Sequence, residues 1–142
     1  MKVENKKILT ADDLAQEIVT IRDTSEVLTK QGLPYFLGIS NKSSGSKNIS
    51  MNIINIPPGG KAEPHYHDGF ETGIYVLKGK VETRYGKNLE KSVVNGQGDF
   101  VFIPPYLPHQ PINLSADKEA QAIVVRDCAD EVEDVVIYQC DK

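Results

Sequence analysis

Three side chains able to hold a metal ion fall within the seven residues HYHDGFE: His65, His67 and Glu71. Side chains alternate along an extended strand, so His65 and His67 point to the same face with one residue between them and can grip one ion. Asp68-Gly69 then offers a turn, after which ETGIYVLK reads as a strand that carries Glu71 at its start. A third ligand would thus arrive from the next strand. Imidazole nitrogens with one carboxylate suit Mn, Fe, Co, Ni, Cu or Zn; Ca and Mg prefer shells made of oxygen alone.

The chain has three histidines in all, and the third, His109, lies in a second stretch punctuated by Gly and Pro, GQGDFVFIPPYLPHQPIN. Taken alone, a histidine on a strand is usually a hydrogen-bonded or solvated side chain. Beside an HxH pair it becomes a candidate fourth ligand. Other chemistries lack their signatures: there is no Gly-rich phosphate loop, GxSxG elbow or dinucleotide fingerprint. Cys128 and Cys140 have no metal-like spacing and read as reduced thiols.

The two stretches resemble the two motifs of the cupin superfamily, and in particular its small single-domain members. Gly59, His65, His67, Glu71 and Gly79 fall on the first motif; Gly98, Pro104, Tyr106, His109 and Asn113 fall on the second. Two departures stand out. Tyr106 replaces the usual turn glycine, so the turn needs another backbone conformation or a strained one. The spacing from Glu71 to Gly79 is one residue longer than the commonest form, although the neighbouring Thr72 would be a poor ligand. The resemblance implies an all-β double-stranded β-helix (a jelly roll, the cupin barrel) with the site inside it. It also implies one divalent transition metal ion (Mn, Fe, Ni or Zn) bound by His65, His67, Glu71 and His109, and a homodimer.

The elements that must position these residues are short. Residues 33–142 read as the barrel: YFLGIS, Ile49 to Ile56, ETGIYVLK, KVETRY, KSVV, DFVFI, HQPINL, EAQAIVVRD and VVIYQC as strands, separated by turn-forming segments. NKSSGSKN reads as a polar surface loop. Even spacing from Glu71 puts Tyr75 and Leu77 on its face, and with Phe102 these would serve as pocket wall or plain core. Asn113 reads as a turn-fixing residue rather than a ligand. Residues 1–32 form an N-terminal arm: Thr10 and Asp13 resemble a helix cap for residues 11 to 19, while EIVTIR alternates like an edge strand.

With 142 residues, 39% apolar and 25% charged, the chain has the composition of one globular domain. The net charge is −4 and the sixteen Lys and Arg residues are scattered, which argues against a nucleic-acid partner. No run reaches the roughly eighteen apolar residues of a membrane span, and the N-terminus lacks an apolar signal region, so a cytoplasmic location is expected. The expected function is a mononuclear metalloenzyme, dioxygenase-like or a metal-dependent isomerase or lyase, acting on a small polar molecule. The alternatives are a metal-containing binding or sensing module, and a metal-free His/Glu acid-base enzyme such as a sugar epimerase. Histidine ligates only as neutral imidazole, so protons are expected to compete with the metal near the ordinary histidine pKa of about 6.5.

Overall fold

The structure is a computed structural model that describes residues 7–22, 24, 26–130 and 135–140. Two antiparallel sheets face each other. The larger has six strands in the order β1 (Glu26–Leu28), β2 (Pro34–Ile39), β3 (Ser50–Ile56), β10 (Ala120–Arg126), β5 (Thr72–Lys78) and β8 (Phe100–Ile103). The smaller has five: β11 (Val135–Ile137), β4 (His65–His67), β9 (His109–Asn113), β6 (Lys80–Tyr85) and β7 (Lys91–Gly96). This is the jelly roll expected from the sequence.

Strict alternation drives the larger sheet inward on one face. In β3 the buried positions are Ser50, Asn52, Ile54 and Ile56; in β10 they are Ala120, Ala122, Val124 and Arg126. Register aligns these sets, with Ala122 opposite Ile54 and Arg126 opposite Ser50. Together with Leu33, Tyr35, Ala62 and Val81 the apolar members form the core between the sheets. Side chains on the other face of β3 and β10 point outward, as the period of two requires.

Gly79, between β5 and β6, is where the chain passes from one sheet to the other. Its φ is +86°, and a Cβ there would lie 2.9 Å from the Cβ of Ala120, so both conformation and space demand glycine. Ile49, Met51 and Ile53 share a face as expected; it is the outer one, with Ile49 and Met51 exposed.

The arm is only partly as expected. Thr10 does cap a helix, with its hydroxyl accepting from the Asp13 amide and the Asp13 carboxylate accepting from the Thr10 amide, but the helix stops after one turn, Ala11–Leu14 (α1). EIVTIR pairs with no strand among the described residues. The polar loop NKSSGSKN contains a second one-turn helix, Asn41–Ser44 (α2), closed by Gly45 in the left-handed conformation. None of the helices among the described residues is long and apolar enough to cross a membrane.

Candidate metal centre

β4 and β9 bring the three histidines together. His65 sits directly opposite His109 in the antiparallel pair, and His67 lies two residues further along β4 on the same face. The ring centroids of His65 and His109 are 4.3 Å apart, those of His65 and His67 5.1 Å, and those of His67 and His109 5.4 Å. All three are buried, and one nitrogen of each lies within 4.8 Å of the others.

Backbone carbonyls fix two of the rings. His65 Nδ1 is 2.7 Å from the Glu63 carbonyl oxygen and His109 Nδ1 is 2.9 Å from that of Leu107. A carbonyl only accepts, so each Nδ1 carries the proton and each Nε2 keeps its lone pair. His67 is held differently. Its Nε2 lies 3.1 Å from Nη2 of Arg126, and a guanidinium only donates, so this nitrogen is the acceptor. Nδ1 of His67 is then buried without a hydrogen-bond partner among the described residues.

Burial sets the charge of the cluster. Loss of water around the imidazolium, with His109 and Arg126 adding repulsion, pushes His65 down to about 3. Burial, and then Arg126, drive His67 down further. His109 falls to about 4, chiefly through burial. All three are therefore neutral at pH 7, the form that ligates metal. Proton competition thus begins well below the pH near 6.5 expected from the sequence, because that value belongs to a solvated ring.

Glu71 does not join the cluster. Its side chain is exposed, and its amide donates to Asp127 Oδ1 at 2.8 Å. The inward residue at the start of β5 is Thr72, 1% exposed, and the inward face continues through Ile74 and Val76. A shift of one residue in a strand exchanges its two faces, so the expected wall residues Tyr75 and Phe102 lie instead in a groove on the outside with Phe100. Phe102 is 62% exposed.

Thr72 stands opposite Arg126 in the β5–β10 register. Nε of Arg126 donates to Thr72 Oγ1 at 3.0 Å and Nη2 donates to the Tyr35 hydroxyl at 3.3 Å. Arg126 was missed in the sequence reading. The signal was present: it continues the alternation Ala120, Ala122, Val124 on the face that must be buried.

The second motif behaves as its residues suggest. Tyr106 adopts φ +65°, the left-handed conformation of the glycine it replaces, and its amide donates to the His67 carbonyl at 3.0 Å. Asn113 fixes a turn: its Nδ2 donates to the carbonyls of Ile56, Pro57 and Lys118, and its Oδ1 accepts from the Ser115 amide.

Beside the histidines is an interior cavity of about 60 Å³. Its walls are mainly aliphatic, including Leu33, Ile54, Val76 and Val124, and its polar lining includes Gln31, Tyr35, His65, His109 and Arg126. At about 10–15 Å³ for one water-sized centre, this is room for a few atoms.

The Cupin domain family matches residues 52–126, more than half of the sequence, and the chain belongs to that family. A search of curated proteins gives no match. Among solved structures, the polyketide cyclase RemF from Streptomyces resistomycificus is similar at 21% identity and a TM-score of 0.70, with 89% of this chain and 88% of RemF covered. The Lactobacillus farciminis oxalate decarboxylase, solved as a formate complex, is similar at 19% identity and a TM-score of 0.66, over 80% of this chain and 33% of that one. The Bacillus subtilis oxalate decarboxylase, which has Mn(II) centres, is similar at 22% identity and a TM-score of 0.63, over 78% of this chain and 29% of that one. The chain therefore spans about a third of each decarboxylase. At these identities the likeness is one of fold.

The residues present fit a metal ion. Two imidazoles offer Nε2 lone pairs fixed by their carbonyl partners, and the third has its lone pair on Nε2, beside Nη2 of Arg126. Three histidine nitrogens with further positions open are an established arrangement for a catalytic divalent ion.

Proposed function

We propose that this cupin binds one divalent transition metal ion (Mn, Fe, Ni or Zn) through His65, His67 and His109, and that it is a metalloenzyme acting on a small polar molecule in the barrel. The observation that carries the reading is the convergence of three buried, neutral imidazoles beside the cavity. Three protein ligands leave positions for a substrate, and a bound ion would supply Lewis-acid chemistry there, of the kind used by dioxygenases, isomerases and lyases. Glu71 has no part in this ligand set. The cavity size supports a substrate of few heavy atoms, and its aliphatic walls would keep water from the reacting bond.

The metal-free acid-base alternative needs a carboxylate within reach of an imidazole. No Asp or Glu lines the cavity among the described residues. A binding module without turnover would use the same ion and the same residues. We also propose that the protein is cytoplasmic and a homodimer; the exposed apolar groove of Phe100, Phe102 and Tyr75 on the outer sheet face supports the dimer. Elemental analysis of untagged protein, wild type beside His65→Ala/His109→Ala, tests the metal reading. About one equivalent of transition metal, lost in the variant, is expected; no metal in the wild type after loading with Mn, Fe, Ni or Zn defeats it.

A further inference from the structure

We propose that Gln31 selects the ligand of the cavity: its Oε1 accepts a hydrogen bond from a hydroxyl group of the bound molecule, so the site takes a small alcohol in preference to the ketone of the same skeleton. The inference rests on the cavity being the ligand site, as proposed above, and not on the metal. Gln31 sits in the turn between β1 and β2, where a side chain ordinarily reaches into water. This turn is instead folded inward, with Gln31 and Leu33 each 1% exposed. It is fixed from within: the Thr29 hydroxyl donates to the Leu33 carbonyl at 2.9 Å, and the Gly32 amide donates to the Thr29 carbonyl at 3.0 Å. The Gln31 carbonyl accepts from the Glu63 amide at 2.7 Å, and the Glu63 carbonyl is the group that fixes the His65 ring. Two residues of the cavity wall, Gln31 and His65, are thus tied together through Glu63.

The protein uses half of the Gln31 amide. Nε2 donates to the Tyr35 hydroxyl at 3.4 Å, while Oε1 is buried with no hydrogen-bond partner among the described residues. A buried carbonyl oxygen without a donor is costly, and a methionine would fill similar space without that cost. Gln31 borders the cavity, so a molecule held there is what can supply the missing donor. The nearby imidazoles do not supply it: His65 and His109 commit their Nδ1 protons to carbonyls and present Nε2 lone pairs. Oε1 and these two nitrogens are all acceptors, and the group that complements them carries a proton. An ammonium would have to shed its water among aliphatic walls, so a neutral hydroxyl is the donor that fits. A ketone brings one more acceptor and leaves Oε1 unpaired, which is how a site built for a hydroxyl rejects the analogue that lacks it.

The test is a chemical-shift titration of the chelator-treated full chain with 2-propanol and with acetone, followed at the rings of His65 and His109, for wild type and Gln31→Met. Wild type is expected to bind 2-propanol about tenfold more tightly than acetone, the scale set by one unpaired buried acceptor, and Gln31→Met to lose most of that preference. The imidazole nitrogens also accept, so the share owed to Gln31 is the part that the substitution removes. Equal binding of the two probes by the wild type overturns the proposal without any variant. A preference for acetone, the result of an amide turned to offer Nε2, overturns it too, as does a preference for 2-propanol that is unchanged in Gln31→Met. Those results leave the cavity as the ligand site, whereas a wild type whose ring signals respond to neither probe, with or without Zn2+, defeats that reading and this one with it. A protein that binds no metal leaves the titration unaffected and fails the metal reading alone.

Discussion

Acidifying the metal-free protein should unfold it, and the buried histidines set how steeply. In the native state His65 is pushed to about 3 and His109 to about 4, and His67 is lowered as well. In the unfolded chain all three titrate near the ordinary value of about 6.5. Between about pH 6.5 and 4 the unfolded state therefore binds more protons than the native state, so stability falls as pH falls. Above about 6.5 both states are neutral and the contribution is complete. Each histidine approaches about 1.4 kcal/mol per pH unit within the window, so three remove roughly 6 kcal/mol by pH 5. That is comparable to the whole stability of an ordinary domain, about 5–15 kcal/mol. Urea denaturation with chelator present, followed by circular dichroism at half-unit steps from pH 8 to 5, measures it directly. His109→Gln should flatten the curve by about a third, since the glutamine has no proton to gain. An unfolding free energy that stays constant from pH 7 to 5 would refute the reasoning, because it would mean that the rings are solvated or already charged in the native state.

Other expectations concern single positions. Asn113→Ala removes a side chain that serves three carbonyls and one amide, and should cost about 2–4 kcal/mol at roughly 1 kcal/mol or more for each bond, read as a lower urea midpoint with unchanged slope. Gly79→Ala forces a side chain into φ +86° and against Ala120; the left-handed conformation alone costs about 1–2 kcal/mol, so a larger loss of stability is expected in thermal melts. Tyr106→Gly relieves a similar strain but frees the unfolded chain, so its melting point should move little. If the proposed homodimer forms through the outer groove, wild type should sediment as a dimer and Phe100→Ser/Phe102→Ser as a monomer, with unchanged circular dichroism.

The fold was legible in the sequence because its signals are local. Short alternating runs bounded by Gly, Pro and Asn became the strands expected of them, and the HxH pair faced one way because a strand has period two. His109, a candidate from the second motif, is brought to that pair by β4 pairing with β9 across 44 residues of chain. What failed was a matter of one residue. Counting forward from His67 made Glu71 the inward side chain; counting back from Gly79, whose position is fixed by its contact with Ala120, leaves six residues before Thr72. The longer spacing was the clue, since the extra residue lies in the turn and not in the strand. Tyr75 and Leu77 were placed inward by the same slip.

Chemical type pulled the assignment toward the wrong neighbour, because glutamate is a better ligand than threonine. Register overrides such preference: the inward position at the start of β5 is decided by pairing with Ile103 and Arg126 on either side. Once threonine holds that position, the arginine opposite becomes intelligible. A glutamate there would neutralise a bound dication by one charge and would pair with a guanidinium directly across from it. Threonine does neither, and instead accepts a hydrogen bond from Nε of Arg126 at 3.0 Å.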